Sequence, residues 1–176
     1  SFTPSASLSI ARHPGRVDEL QYAHDVATSA GVEAELVDPA RIAELWPLAS
    51  VEGMLAGLHF PGDGHVNPGY AALAFATLAH RAGVTVREGV DVRRVLVEDG
   101  RAVGIETARG TVHADTVVLA AGLWSRDLAA TAGVHIPLYA AEHVHVRSNP
   151  IDGAVPTLPV LRDVDNSYYI RHEAGR

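Results

Sequence analysis

The chain has 176 residues, 47% of them hydrophobic, a formal net charge of −7 and no cysteine. That is enough apolar material for a well-buried core, and the missing cysteines exclude disulfides, thiolate metal sites and cysteine nucleophiles. No basic cluster is longer than Arg93-Arg94, and the N-terminus SFTPSASLSI shows no basic region leading into an apolar one, so neither a nucleic-acid partner nor a membrane partner is expected and the protein is read as cytoplasmic.

Ser5 to Arg12 alternates small polar residues with Leu8 and Ile10 and predicts a half-buried strand. Pro14 opens a helix to about Ala30, with Val17, Leu20, Ala23, Ala27 and Ala30 on one face and Gly31 as its stop. Ala34 to Val37 is a short strand. Asp38-Pro39 then starts a helix, the carboxylate capping free amides while proline fills the first helical position; it ends near Trp46-Pro47.

Val51 to Phe60 reads as a bent strand leading into the loop PGDGHVNP. In that loop Asp63-Gly64-His65 suits a lid or, more simply, a tight turn. Asn67-Pro68 repeats the cap-then-proline start of a helix that runs to about Arg81 and stops at Gly83. Strands follow at Val84 to Arg87, Val92 to Val97, Ala102 to Thr107 and Thr111 to Ala114. Asp99-Gly100 marks a hairpin and Arg109-Gly110 a second turn, which makes a three-stranded meander.

The run Thr116 to Ala121 is β-branched, nearly uncharged and bounded by Gly122. It predicts a central parallel strand buried on both faces. Ligands of open α/β sheets bind beyond the carboxyl ends of such strands, where small residues let a cofactor approach the backbone, so Ala120, Ala121 and Gly122 mark the expected site. A helix then runs to about Ala132, followed by a long strand from Ile136 to Val146, a proline-marked loop, and short strands at Val160-Leu161 and Tyr168 to Arg171.

The segment REGVDVRRVLVEDGRAVGIETARGTVHADTVVLAAGLW, Arg87 to Trp124, resembles the middle of FAD-dependent amine oxidoreductases of the glycine oxidase and D-amino-acid oxidase superfamily. Within it, AAGLWSRDLAATAGVHIPLYAAEHVHV and LPVLRDVDNSYYIRHEAGR are most similar to the sarcosine and dimethylglycine dehydrogenase group. The resemblance implies a mixed α/β fold: part of a Rossmann-like FAD-binding domain with its β-meander, plus part of an antiparallel substrate-binding sheet. It divides the chain into substrate-domain portions at 1–67 and 135–176 and an FAD-binding portion at 68–134. The family's glycine-rich strand-turn-helix, which cradles the FAD pyrophosphate, and its closing C-terminal strand are not among these residues, so the chain reads as an interior piece of a longer enzyme. Its unpartnered surfaces are expected to favour self-association.

The implied reaction is oxidation of an N-methyl amino acid, dimethylglycine or sarcosine, to an iminium with reduction of FAD, a step of amino-acid catabolism. In the resembled enzymes the histidine matching His143 sits beside the flavin and the tyrosine matching Tyr168 faces it across the substrate pocket, which makes these two the catalytic candidates. Cofactor contacts are implied for Val92, through its backbone to adenine, for Ala120, Ala121 and Gly122 beneath the cofactor, and for Trp124 near the flavin. The family's covalent flavin histidine lies in the segment not present, so no histidine here inherits that role. Arg162-Asp163 and Arg171 bracket the Tyr168 strand and suit either a substrate carboxylate or surface ion pairs, the latter being the simpler reading. Three alternatives stand beside the main one: a glycine or D-amino-acid oxidase-type enzyme, a binding or interaction domain without flavin, and a metal site on His143 and His145, same-face neighbours on the expected strand for which no third ligand has a diagnostic spacing.

Overall fold

The computed structural model describes residues 2–173. They fall into two compact units, one made of the residues up to Thr77 together with those from Val146 onward, the other of Leu78–His145. The architecture is mixed α/β.

The first unit is built on a five-stranded sheet of order β10-β9-β2-β4-β3. Its strands are β2 (Ser7–Ala11), β3 (Glu35–Val37), β4 (Ala56–Phe60), β9 (Val160–Asp163) and β10 (Tyr168–Ile170). β2 pairs antiparallel with β4 and parallel with β9, so strands from both ends of the chain are joined at its centre. The alternation read in the sequence holds: Leu8 and Ile10 are fully buried, in one cluster with Val37, Ile42, Trp46, Met54, Leu158 and Leu161. Gly57 lies within this packing. A Cβ there would stand 2.9 Å from Val37, 3.1 Å from Leu8 and 3.2 Å from Ile42, so Gly57→Ala is expected to lower stability by about 1–3 kcal/mol through overpacking. Urea unfolding of the two proteins checks it, and an unchanged midpoint would show that the three side chains yield freely.

α1 (Pro14–Ser29) and α2 (Pro39–Leu45) start where cap and proline predict. The His13 ring accepts from the Arg16 amide, and the Asp38 carboxylate from the Arg41 amide at 2.8 Å. The apolar face of α1 is narrower than its spacing suggested: Leu20 is buried and Val17 packs beside Ala11 and Leu58, whereas Ala23 and Ala30 are exposed. β1 (Phe2–Pro4) and β5 (Gly64–Val66) form a two-stranded sheet. Gly64 is therefore a strand residue, and a Cβ there would come within 2.2 Å of the Thr3 carbonyl, which favours the simple turn-and-packing account of Asp63-Gly64-His65. α3 (Pro68–Arg81) is capped by Asn67, but none of its residues is buried; Leu73, Phe75 and Leu78 are all exposed.

The second unit holds the meander of β6 (Val92–Glu98), β7 (Arg101–Thr107) and β8 (Gly110–His113), antiparallel throughout. Asp99 and Gly100 both have positive φ, 48° and 76°, the twist a two-residue hairpin turn requires. Ala114 extends the pairing with a bond to the Val103 carbonyl at 3.0 Å.

Three expected strands are not formed. Residues 84–87, 116–121 and 136–146 carry no ladder. A strand is defined by hydrogen bonds to a neighbour, and among the described residues none of these runs is paired in a sheet. β-Branched composition and alternation make a run suitable for a sheet; they do not supply its partner. Val118 and Val144 are accordingly 82% and 91% exposed.

Candidate functional site

The run 116–121 nevertheless has a defined place. After β8 the chain runs along the meander without regular secondary structure, makes a 3-10 turn at Gly122–Trp124 and enters α4 (Ser125–Ala130). α4 is fixed to β6: the Thr131 hydroxyl at its end accepts from the Val95 amide at 3.0 Å, and Ala129 is buried. The Ser125 hydroxyl accepts from the Ala121 amide at 3.1 Å and secures the turn. Between this run and the meander lies an open groove of about 450 Å³. Val92, Ala120 and Ala121, separated by up to 29 positions in sequence, line it together, with Val95, Ile105 and Leu128 among the other walls.

No lining residue of the groove is charged, and Thr116 is its one polar side chain. Such a surface accepts flat aromatic rings and offers nothing to a phosphate. Gly122 adds a bare approach to the backbone: its φ is 56°, and no heavy atom lies within 4 Å of where its Cβ would be. A residue with a side chain is disfavoured at that φ. Trp124 is 66% exposed at the end of the turn, so its indole is not core in this unit.

His143 lies in the same unit, exposed and outside any strand, as does His145. Without a strand, the same-face geometry that would have paired the two imidazoles is not imposed. Among the described residues no three His, Cys, Asp or Glu side chains come together as metal ligands.

Tyr168 belongs to the other unit. The β9–β10 register sets it directly opposite Asp163 and sets Tyr169 opposite Arg162, so only Tyr168 shares a face with Leu8, Ile10 and Leu161. Asp163 is no surface residue, contrary to the simpler sequence reading; it is fully buried. One oxygen accepts from Arg12 Nε at 2.8 Å and Asn166 Nδ2 at 2.9 Å, the other from the Asn166 amide at 3.0 Å. Burial alone would raise this carboxyl. The hydrogen bonds from Arg12 and Asn166, with the Tyr168 hydroxyl beside them, outweigh burial and hold it below the ordinary range. Arg12 is raised in turn, chiefly by its bond to Asp163, against some loss of hydration, with Tyr168 contributing. Two residues on, Asp165 accepts from the Arg12 amide at 3.1 Å and from Arg16 Nε at 2.9 Å. Arg171 conforms to the surface-pair expectation: it meets Glu173 at 3.7 Å on the rim of a cleft of about 240 Å³ shared with His65 and Asn67.

Sequence reasoning missed Arg12, and a signal for it existed. Period two from Leu8 and Ile10 puts residue 12 on the core face, and a charge there needs a partner.

The mixed α/β units and an uncharged groove lined by Val92, Ala120 and Ala121 suit a protein that holds a ring-bearing cofactor. Over residues 1–176 the chain matches the DAO family, described as FAD dependent oxidoreductase, and it belongs to that family, whose cofactor is FAD. It is 60% identical over 176 residues to 4-methylaminobutanoate oxidase (formaldehyde-forming) of Paenarthrobacter nicotinovorans, an alignment that covers 100% of this chain and 21% of that protein. It is 35% identical over 175 residues to the mitochondrial dimethylglycine dehydrogenase of Rattus norvegicus, covering 98% of this chain and 20% of that one. The chain thus spans about a fifth of the length of these relatives. Among solved structures, L-proline dehydrogenase from P. horikoshii superposes with a TM-score of 0.77 at 22% identity, over 99% of this chain and 47% of that one, which supports the fold. No helix among the described residues is long and apolar enough to cross a membrane.

Proposed function

We propose that the chain is part of a flavin enzyme that oxidises the N-methyl group of a methylamino carboxylate, of the size range from sarcosine and dimethylglycine to 4-methylaminobutanoate. The observation that carries this reading is the 60% identity, along the whole chain, to an oxidase of 4-methylaminobutanoate. A cytoplasmic location belongs to the same proposal.

The groove residues fit the ring-bearing part of FAD: Val92, Ala120 and Ala121 would wall it, Gly122 would let it approach the backbone, and Trp124 would flank it. Bound FAD supplies the acceptor for two electrons and the hydrogen leaving the methyl carbon. The chain's own residues then have three tasks. The apolar walls seat the cofactor's ring. Tyr168 receives the substrate amine, its ring held on the core face of β10 by the register with Asp163. His143, in the other unit, is the second catalytic candidate, and its task would be to keep the amine nitrogen unprotonated. Loss of hydride from the methyl group leaves an iminium, and water then releases formaldehyde and the demethylated amine.

The test uses the full-length protein. Its visible flavin spectrum is recorded without oxygen before and after addition of sarcosine, dimethylglycine or 4-methylaminobutanoate. Bleaching by one or more of these supports the proposal and ranks the substrates. A yellow protein bleached only by glycine or a D-amino acid would move it to the oxidase alternative. A colourless protein that takes up no FAD would overturn it in favour of an interaction domain.

The same reading assigns the exposed side chains of α3 and the ladderless run 116–121 to surfaces that other parts of the whole enzyme cover. We therefore propose that this chain, expressed alone, self-associates. Sedimentation as a monodisperse monomer would contradict that.

A further inference from the structure

The cluster around Asp163 is not accounted for by holding a hairpin together. Arg12 leaves the end of β2 and Asp163 the end of β9, and the two meet at 2.8 Å with the carboxylate fully buried. The residue paired with Asp163 across the next strand is Tyr168, on the same face. Asn166 bonds both carboxylate oxygens, one of which also takes Arg12, and the Tyr168 hydroxyl lies beside the same carboxylate. The Arg12 guanidinium is itself anchored, through Nη1, by the Glu52 carbonyl at 2.8 Å.

We infer that Arg12 and Asp163 are positioning residues for Tyr168: Asp163 accepts a hydrogen bond from the phenol O–H, so that the oxygen turns its lone pairs to the substrate amine, and Arg12 balances the charge beneath it. The inference rests on the proposal that Tyr168 receives the amine.

The pairing matters because the substrate is a cation until it loses a proton. A carboxylate alone beneath the phenol would hold the ammonium form, which cannot be oxidised; a guanidinium alone would repel it. Together they give the phenol a direction with no net charge. The hydrogen bond also fixes which way the hydroxyl points, a freedom a half-exposed tyrosine otherwise keeps.

The experiment measures the rate of flavin reduction without oxygen in the full-length, FAD-loaded protein across pH, with 4-methylaminobutanoate as substrate. The variants are Arg12→Gln, Arg12→Lys, Asp163→Asn and Tyr168→Phe, with each of the first three also combined with Tyr168→Phe. Arg12→Gln is expected to slow reduction by about tenfold when Tyr168 is present and by less than about twofold when it is Phe, since coupled residues are not additive. It also leaves a net negative charge, so the acid limb of the profile moves up by roughly half a unit to one unit. Asp163→Asn moves that limb down, and Arg12→Lys restores it. Equal slowing in both backgrounds, or an acid limb that stays in place, overturns the inference and leaves the cluster a structural clasp. Tyr168→Phe reducing at the parent rate would instead overturn the role of Tyr168 itself, whatever Arg12 does. Should Asp163→Asn not fold, Arg12→Gln and Arg12→Lys decide alone.

Discussion

Asp163→Ala is expected to destabilise the protein by about 3 kcal/mol. Removing one partner of a buried ion pair leaves the other without its counter-charge, which typically costs about 3–5 kcal/mol. The lower end applies here because Arg12, at 26% side-chain exposure, can regain water. The Asn166 side chain and backbone amide also lose their acceptor, but Asn166 is exposed and water can replace it. Asp163→Asn should cost less, since an amide keeps the volume and one acceptor oxygen. The same pair makes stability depend on acid. The folded carboxyl lies below its ordinary range, so its contribution is complete above the unfolded value of about 3.9 and is lost as pH falls through the folded one. Asp165 is held low as well and acts in the same direction. Urea midpoints at neutral pH and near pH 3 therefore differ more for the parent protein than for Asp163→Asn. Identical acid losses in the two would mean that the pair contributes nothing to folding.

Some of this fold could be read locally and some could not. Helix starts were legible because a cap and a proline act within one turn: Asp38-Pro39 and Asn67-Pro68 each begin a helix where the sequence places it. The Asp99-Gly100 hairpin was legible for the same reason, since its positive φ values are set by two residues. Strands that need a partner were not. Thr116 to Ala121 has the composition of a central strand, but pairing is a property of two segments, and here the run lines a groove instead. The long strand read at 136–146 fails in the same way. The Arg12–Asp163 pair spans 151 positions, and only the core-facing period of β2 hinted that Arg12 needed a buried anion. For the candidate site, the resemblance supplied Val92 and the Ala-Ala-Gly turn as separate motifs; the meander and α4 are what bring them to one groove.

His143→Asn and Tyr168→Phe are each expected to slow flavin reduction by methylated amine by about 100-fold or more, the usual scale for removing a positioned acid, base or donor. Tyr168→Phe keeps the ring, so the loss reports the hydroxyl alone. If that hydroxyl only binds substrate, KM rises and the limiting rate is unchanged; if it orients the amine for loss of hydride, the limiting rate falls as well. His143→Asn keeps a polar side chain of similar size, so its loss reports the imidazole itself. Parent rates in both variants would remove them from the chemistry. The loss in Tyr168→Phe alone would leave β10, with the Asp163–Arg12 pair behind it, as the side of the site that handles the amine.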